Sequence, residues 1–387
     1  MAAIRAYLDC NASAPLMPAA RAAMVAALDI CANPSSVHAE GRAARRLVED
    51  ARAHVAALAG GKAAHVVFTS GATEAASTLL TPDWRMGCAA LRMGRLYVCE
   101  ADHPCLLGGG RFAQERVSRI GVDGDGIVRL DDLTAALRSH DKAEGLPLVA
   151  LHAANNETGV IQPVERVAEL VKSAGGVLVL DAVQAAGRIP LDMSAPCADY
   201  LILSSHKIGG PQGAGAIVAA SDLMMPVPLI SGGGQEKGHR AGTENLAAIA
   251  GFGVAAREAL AGLAVMDAVR ARRDEIEAAV RSLVPDAEIF GTGAPRLANT
   301  TFFAIPGLKA ETAQIAFDLA GVALSAGSAC SSGKVGPSHV LKAMGRVDAP
   351  GALRVSIGAA TGPDEIGLFR TALAGIAARR AGRERAA

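Results

Sequence analysis

The sequence predicts an α/β protein with a large domain built on a mostly parallel sheet and a smaller α+β unit after it. Two observations carry this. Between about residues 66 and 220, short apolar runs alternate with helix-compatible stretches, the pattern of strands joined by helices that cover both faces of one sheet. After Gly242-Thr-Glu-Asn245 the character changes to long Ala-rich helical pattern, and then to mixed short strands and helices. A chain of 387 residues, 51% hydrophobic, is long enough for both units and their cores.

Taken in order, Pro18 to Asp29 is Ala-rich and reads as a helix opened by proline. Asn33-Pro-Ser-Ser-Val-His38 is a polar loop, and Arg42 to Leu58 a helix of mixed charge that Gly60-Gly61 ends. Val66–Thr69 is a strand leading into Ser70-Gly-Ala-Thr-Glu74, which opens another helix. The expected sequel is strands at Leu96–Cys99, 116–120 and Leu148–His152, a helix at 131–139, and a helix after Pro163. Strands then end at Asp181 and Ser204, and a further apolar run spans Ala214 to Ala220. Asn245 to Leu283 is helical with a break at Gly262. The smaller unit takes strands at 299–304, 322–325 and 352–357 and helices at 310–320, 337–344 and 363–378, with the first dozen residues packing onto it. The basic tail after Ala377 reads as a frayed helix end.

Composition narrows the function. Lys+Arg equals Asp+Glu at 38 each, and aromatics are 3%. This gives no support for a nucleic-acid or acidic-membrane partner. No stretch reaches about 18 uninterrupted apolar residues, which argues against a spanning helix. The N-terminus lacks a charged lead-in to an apolar signal core. The seven cysteines are scattered without a C-x-x-C pair, so neither a disulfide framework nor a structural zinc site is expected. A cytoplasmic protein is the expectation.

The chemistry gathers where strands end. Ser204-Ser-His-Lys207 closes an apolar run and precedes a Gly-rich loop, an unusual place for a lysine. Asp181-Ala-Val-Gln184, with its acid 26 residues upstream of that lysine, closes another run. An amine and a carboxylate on neighbouring strand ends can bracket pyridoxal phosphate, the lysine as Schiff base and the acid on the pyridinium nitrogen. Ser70-Gly-Ala-Thr-Glu74 offers backbone N–H groups at a helix N-terminus, suited to a phosphate or simply to an N-cap. His103 and Asn155-Asn156 also follow strands, at the edge where α/β sheets collect ligands, though each also suits an ordinary loop. Cys330 lies in Ser325-Ala-Gly-Ser-Ala-Cys-Ser-Ser-Gly333, a small, polar stretch in which a thiol is either a candidate nucleophile or an inconsequential surface cysteine. Arg354 stands in the apolar run Leu353–Ile357, so its partner is an internal Asp or a substrate carboxylate.

In combination these motifs resemble the cysteine desulfurases of the NifS/IscS type, within the class V pyridoxal-phosphate aminotransferase superfamily. The resemblance runs through Tyr7-Leu-Asp9, Asn33 to His38, Thr69 to Glu74, Asn155-Asn-Glu-Thr-Gly-Val-Ile-Gln162, Asp181 to Gln184 and Ser204 to Lys207. It continues in Gly232-Gly-Gly-Gln-Glu236, Arg240-Ala-Gly-Thr243, Gly327-Ser-Ala-Cys330 and Leu353-Arg354, nearly the whole chain. The chain departs from the family pattern at Cys10, where Asn is common, at Ala75-Ala-Ser77, and over 78–93, which does not read like the family's usual helix.

The resemblance implies a pyridoxal-phosphate-dependent transferase fold of the aspartate-aminotransferase type. Its large domain, with a seven-stranded type of sheet, would span 15–258, and its small domain 1–14 plus 259–387. The implied cofactor is pyridoxal 5′-phosphate and the implied reaction L-cysteine to L-alanine, with the sulfur taken as a persulfide by Cys330. Lys207 is implied as Schiff-base lysine and proton carrier, Asp181 as partner of the pyridinium nitrogen, and His103 as the ring-stacking residue and an acid/base. Asn156 and Gln184 would bond the phenolic oxygen. Ala72, Thr73, Ser204 and His206 would hold the phosphate, with Thr243 reaching in from the partner subunit of a homodimer. Arg354 and Asn156 would clamp the substrate carboxylate. A sulfur-acceptor scaffold protein for iron–sulfur clusters is the implied partner. No resident metal is implied, Cys330 being a candidate transient ligand to a cluster iron.

Another class V enzyme, a selenocysteine lyase or aminotransferase, would keep Lys207, Asp181 and His103 without needing Cys330, and the Gly-Ser-Ala-Cys-Ser-Ser setting favours the desulfurase. A dinucleotide-binding α/β protein is disfavoured because Gly232-Gly-Gly lacks the strand–G-x-G-x-x-G–helix order.

Overall fold

The computed structural model describes residues 5–195, 197–327, 338–346 and 352–386. Its main sheet has nine strands. Five run parallel in the order 117–120, 89–99, 146–152, 177–181 and 200–204; Gly215–Ala219 and then Val66–Thr69 add antiparallel at one side. These seven are the sheet that the sequence predicts. Side chains alternate between its faces as a pleated strand requires. Leu178, Leu180, Leu201 and Leu203 enter one apolar cluster, while Val177, Val179, Tyr200 and Ile202 enter the other. Both faces are covered, which is why these strands read as continuous apolar runs rather than alternating ones.

Of the other two strands, Asp83–Met86 belongs to the stretch that did not fit the expected helix and Met224–Pro226 lies beyond it in the chain. The helix Ala72–Leu79 stops, and Asp83–Met86 turns back against the first half of Ala89–Cys99, with Met224–Pro226 pairing outside it. Trp84 fixes this corner. It is 1% exposed, donates its indole N–H to the Thr81 carbonyl at 2.8 Å, and meets Tyr200 edge-on at 5.2 Å.

Helix Pro18–Leu28 falls where expected. Helix Ala39–Leu58 begins three residues before the predicted Arg42, because His38 caps it by accepting the Gly41 N–H. Gly60, at φ +62°, ends it. Helix Leu246–Ala261 lies across both, and a Cβ on Gly253 would stand 2.5 Å from the Cα of Ala51, so that crossing requires glycine. The helical run Leu246–Leu283 is long and apolar enough, by length and composition, to cross a membrane. A 3₁₀ turn at Gly262–Val265 breaks it near the predicted position, and Phe252, Ala255 and Ala256 are fully buried inside the protein.

The smaller unit is a four-stranded antiparallel sheet in the order 288–289, 300–304, 353–356 and 325–326, with the predicted 322–325 run divided between two short strands. Ala6–Tyr7 pairs parallel with Val322–Ala323, and Leu8 joins the apolar cluster formed by Val269, Phe303, Phe317 and Phe369. The opening residues therefore do pack there. The last helix corrects the expectation of a frayed tail: it runs from Pro363 to Ala386. Ala and Arg are strong helix formers, and Arg380 ties the extension to Asp286 at 2.7 Å.

Candidate active site

Five strands deliver their C-terminal ends to one edge of the main sheet. The segments after Thr69, Cys99, His152, Asp181 and Ser204 surround a cavity of about 460 Å³. Ala72, Thr73, His103, Asn156, Asp181, Gln184, Ser204, His206 and Lys207 all line it. Nine of the predicted site residues are thus brought together, as expected where the ligand crevice of a parallel sheet lies.

Lys207 follows Ser204 in a single 3₁₀ turn, Ser205–Lys207. Its Nζ donates to the carbonyls of Asn11 at 2.7 Å and Ala12 at 2.9 Å, so the N-terminal segment receives the amine. Asp181 is buried and accepts the backbone N–H of Val183 at 3.0 Å. Burial outweighs that bond and the nearby charge of Lys207, pushing its carboxyl up to about 6. Such a carboxylate suits a cationic N–H. His103 caps the short helix Pro104–Leu107, its Nδ1 accepting from Cys105 N–H at 3.2 Å. Burial, with the charges of Lys207 and His339, lowers its imidazole to about 4, so it is a neutral ring at neutral pH.

Another wall of the cavity is the turn before helix Ala72–Leu79. Glu74 folds back to accept the Ser70 N–H at 2.8 Å and takes Arg240 on its other oxygen at 3.0 Å, leaving the N–H groups of the first turn toward the cavity. Gly215, on the adjacent strand, has no room for a side chain: a Cβ would stand 2.6 Å from the Cα of Gly71. His206, on the opposite side, has its imidazole lowered to about 4 by burial and Lys207.

The two asparagines divide the alternatives left open by the sequence. Asn155 makes the turn, accepting the N–H groups of Glu157 and Thr158 and donating to the Ala101 carbonyl, whereas Asn156 lines the cavity. Gln184 donates Nε2 to the Asn11 carbonyl at 3.1 Å, and its Oε1 is buried without a partner. Its amide nitrogen keeps a second N–H beyond the one given to Asn11.

Arg354 stands apart from the cavity lining. It is 1% exposed, donates to Asp9 Oδ1 at 2.8 Å and to the Asn156 carbonyl at 2.9 Å, and leaves Nε buried without a partner. Of its two expected partners the structure shows the internal Asp. Thr243 is exposed and does not line this cavity. Cys330 lies outside the described residues.

His152 is a polar lining residue that sequence reasoning passed over. A polar residue at the last position of an otherwise apolar strand was the available signal. Cys99, Asp102 and His152 bring three ligand-type atoms within 4.8 Å of one another. The Asp102 oxygens are already engaged by Cys99 N–H at 2.7 Å and by His152 N–H at 2.9 Å.

The donor set fits pyridoxal 5′-phosphate: an amine for the aldehyde, a desolvated carboxylate for the ring nitrogen, a spare Gln184 amide N–H for the ring oxygen, and a glycine-lined helix N-terminus for the phosphate. Comparison with known proteins agrees. The aminotransferase class-V family model matches residues 6–369. The chain is 41% identical to a cysteine desulfurase of Frankia sp. (strain EuIK1), over 93% of this chain and 88% of that one. It is 36% identical to an IscS-like cysteine desulfurase of Mycobacterium tuberculosis, over 91% of each. Its structure superposes on a NifS-like protein from Rickettsia africae with a TM-score of 0.85 at 30% identity, covering 96% of this chain and 99% of the other.

Proposed function

The chain belongs to the class-V aminotransferase family and is a pyridoxal-phosphate-dependent cysteine desulfurase acting on L-cysteine; from that premise we propose which residues carry the reaction. The observation behind the assignment is the convergence of Lys207, Asp181 and His103 in one cavity at the C-terminal edge of the sheet. The bound cofactor supplies a carbonyl that condenses with the substrate amine and a ring that accepts electrons from its Cα.

Lys207 would hold the cofactor through its carbonyl and would carry protons at the substrate Cα. The Asn11 and Ala12 carbonyls are placed to hold its ammonium group when it is released. Asp181 would hold the ring nitrogen, the neutral His103 would stack on the ring and serve as acid/base, and Asn156 and Gln184 would orient its oxygen. Ala72, Thr73, Ser204 and His206 hold the phosphate. Arg354 takes the substrate carboxylate with Asn156, exchanging Asp9 for it. The thiolate of Cys330 attacks the substrate sulfur. The Cβ–S bond breaks, an S–S bond forms on Cys330, and a proton reaches Cβ to give alanine.

The persulfide then passes to an acceptor, a scaffold protein for iron–sulfur clusters, with Cys330 a candidate transient ligand to a cluster iron; the small, polar composition around Cys330 supports such a hand-over. Two copies of the chain form the working unit, Thr243 of one serving the cavity of the other. The exposure of Thr243 outside its own cavity supports this, as do the exposed Leu28 and Val37. We divide the chain at 15–258 and at 1–14 plus 259–387, supported by an apolar cluster drawn only from the second set. Among the described residues six cysteines are free thiols, Cys10, Cys31, Cys88, Cys99, Cys105 and Cys197, which supports a reducing, cytoplasmic location.

The test is alanine and sulfide release from L-cysteine with a reductant. Cys330→Ala is expected to lose both while the bound cofactor keeps its visible absorbance. Alanine release at the unmutated rate would make Cys330 incidental and favour a lyase.

A further inference from the structure

Behind Asp181 lies a buried group of side chains to which the reaction as described assigns no role. Asp102 is 0% exposed and His152 3%. Asp102 Oδ1 lies 2.5 Å from His152 Nδ1, while its Oδ2 accepts Cys99 N–H. Gln162 completes the set. Its Oε1 accepts the Val128 N–H at 2.9 Å, which identifies its other terminus as the amide nitrogen. That nitrogen donates to the Gly126 carbonyl at 2.8 Å and faces His152 Nε2 at 3.0 Å.

This geometry fixes the protons. An amide N–H donor facing Nε2 requires a lone pair there, so the imidazole proton sits on Nδ1 and is donated to Asp102. His152 is held neutral, and Asp102 is an anion receiving three donors. The pair adjoins the cofactor's acid. His152 is register partner to Asp181 on the next strand, the Ala153 N–H donates to the Asp181 carbonyl at 2.8 Å, and His152 and Asp181 line the same cavity. The charge of Asp102 raises the affinity of Asp181 for its proton. The other charged or titratable groups around them are Cys99, His103, Lys207 and His339, whose Nε2 bonds the Asp102 carbonyl at 2.9 Å.

We propose that Asp102 and His152, locked by Gln162, are positioning residues that place a fixed negative charge behind Asp181 and thereby keep the ring nitrogen of the bound cofactor protonated. The proposal rests on the assignment of Asp181 to that nitrogen. An anion in a low-dielectric interior stabilises a cation beyond its immediate counter-ion. Removing one such charge at an effective dielectric of about 20 is worth on the order of tenfold in a protonation ratio. The Gln162 amide matters because it bars His152 from taking a second proton, which would cancel the charge of Asp102.

The readout is the ¹⁵N chemical shift of ring-labelled pyridoxal phosphate bound to the enzyme at one neutral pH, independent of turnover. Asp102→Asn keeps shape and removes charge, and is expected to lower the protonated-to-unprotonated ratio about tenfold. Gln162→Met frees His152 Nε2 and is expected to move the shift the same way, which keeps the test alive if the first variant does not fold. A folded, cofactor-bound variant with lower thermal stability and an unmoved shift would mean the cluster only supports the strands, and would overturn the proposal. Asp181→Asn is the control. If it leaves the shift unmoved, the Asp181 assignment fails and the proposal falls with it. If it moves the shift while Asp102→Asn and Gln162→Met do not, only the present inference fails.

Discussion

Two buried carboxylates show how differently this protein treats charge in its scaffold and at its site. Glu277, on helix Met266–Leu283, is surrounded by arginines: Arg296 at 2.7 Å, Arg281 at 3.2 Å and Arg273 at 3.9 Å. Its side chain is 4% exposed, yet these partners hold its carboxyl below the usual range. Asp181 is as deeply buried but is answered by a backbone N–H and, more weakly, by Lys207, and its carboxyl is pushed up. The scaffold satisfies its charge within the chain. The site leaves its charge under-compensated until a cationic guest arrives, and so spends stability on binding.

The largest expected effect tests the scaffold side. Glu277→Gln strips the counter-charge from Arg296, itself about nine-tenths buried, and leaves Arg273 with Asp274 alone. It should lower unfolding stability by about 3–5 kcal/mol, the usual cost of breaking a buried pair from one side. Urea melts at pH 7 would measure it, and a loss below about 1 kcal/mol would erase the contrast with Asp181.

The same substitution type at Asp181 should act with the opposite sign. A carboxyl raised from 3.8 to about 6 in the folded protein contributes stability that is complete below pH 3.8 and is lost as pH rises through 6. At pH 8 the ionised Asp181 therefore costs the cofactor-free fold on the order of 3 kcal/mol. Asp181→Asn should make the cofactor-free protein more stable at pH 8 by about that amount, but not at pH 4, while weakening cofactor binding. Melts of the cofactor-free protein at the two pH values decide it; equal gains at both would remove the electrostatic explanation.

Glu157 stands between these cases. It is buried, its carboxyl is raised from 4.5 to about 7 by burial, and its partner is a hydroxyl, Ser338 Oγ at 2.5 Å. Ser338 also caps the helix His339–Ala343 through the Leu341 N–H. Ser338→Ala should cost about 1 kcal/mol for the cap at any pH. At pH 8, where Glu157 is ionised, it should cost about 1 kcal/mol more than at pH 5. A pH-independent loss would reduce Ser338 to a helix cap.

Most of the sheet and most of the cavity lining were legible because both obey local rules. Apolar runs buried on two faces announce strands, and polar residues at their ends announce the ligand edge. What was not legible depended on partners distant in sequence. The hairpin at 83–99 is held by Trp84 on Tyr200, a contact no local pattern signals. His38 as a cap required knowing where Gly41 N–H points. The last helix outruns its predicted end because Arg380 finds Asp286. His152 went unnoticed because its meaning lies in Asp102 and Gln162, neither of them near it on the same strand.

Arg354 is the residue for which scaffold and site predict different measurements. It is as buried as Glu277 and, like it, paired within the chain, to Asp9 at 2.8 Å and to Ser325 Oγ at 3.1 Å. Yet it also donates to the carbonyl of Asn156, a lining residue, and keeps a buried Nε unpartnered. The clamp reading holds that Asp9 keeps the guanidinium in place until a substrate carboxylate replaces it with a two-point contact. Lysine keeps the charge and loses that fork, so Arg354→Lys should raise KM for L-cysteine about tenfold, roughly 1.4 kcal/mol, with kcat changed far less. A lower melting temperature with an unchanged KM would instead put Arg354 in the class of Glu277, its pairing with Asp9 an end in itself.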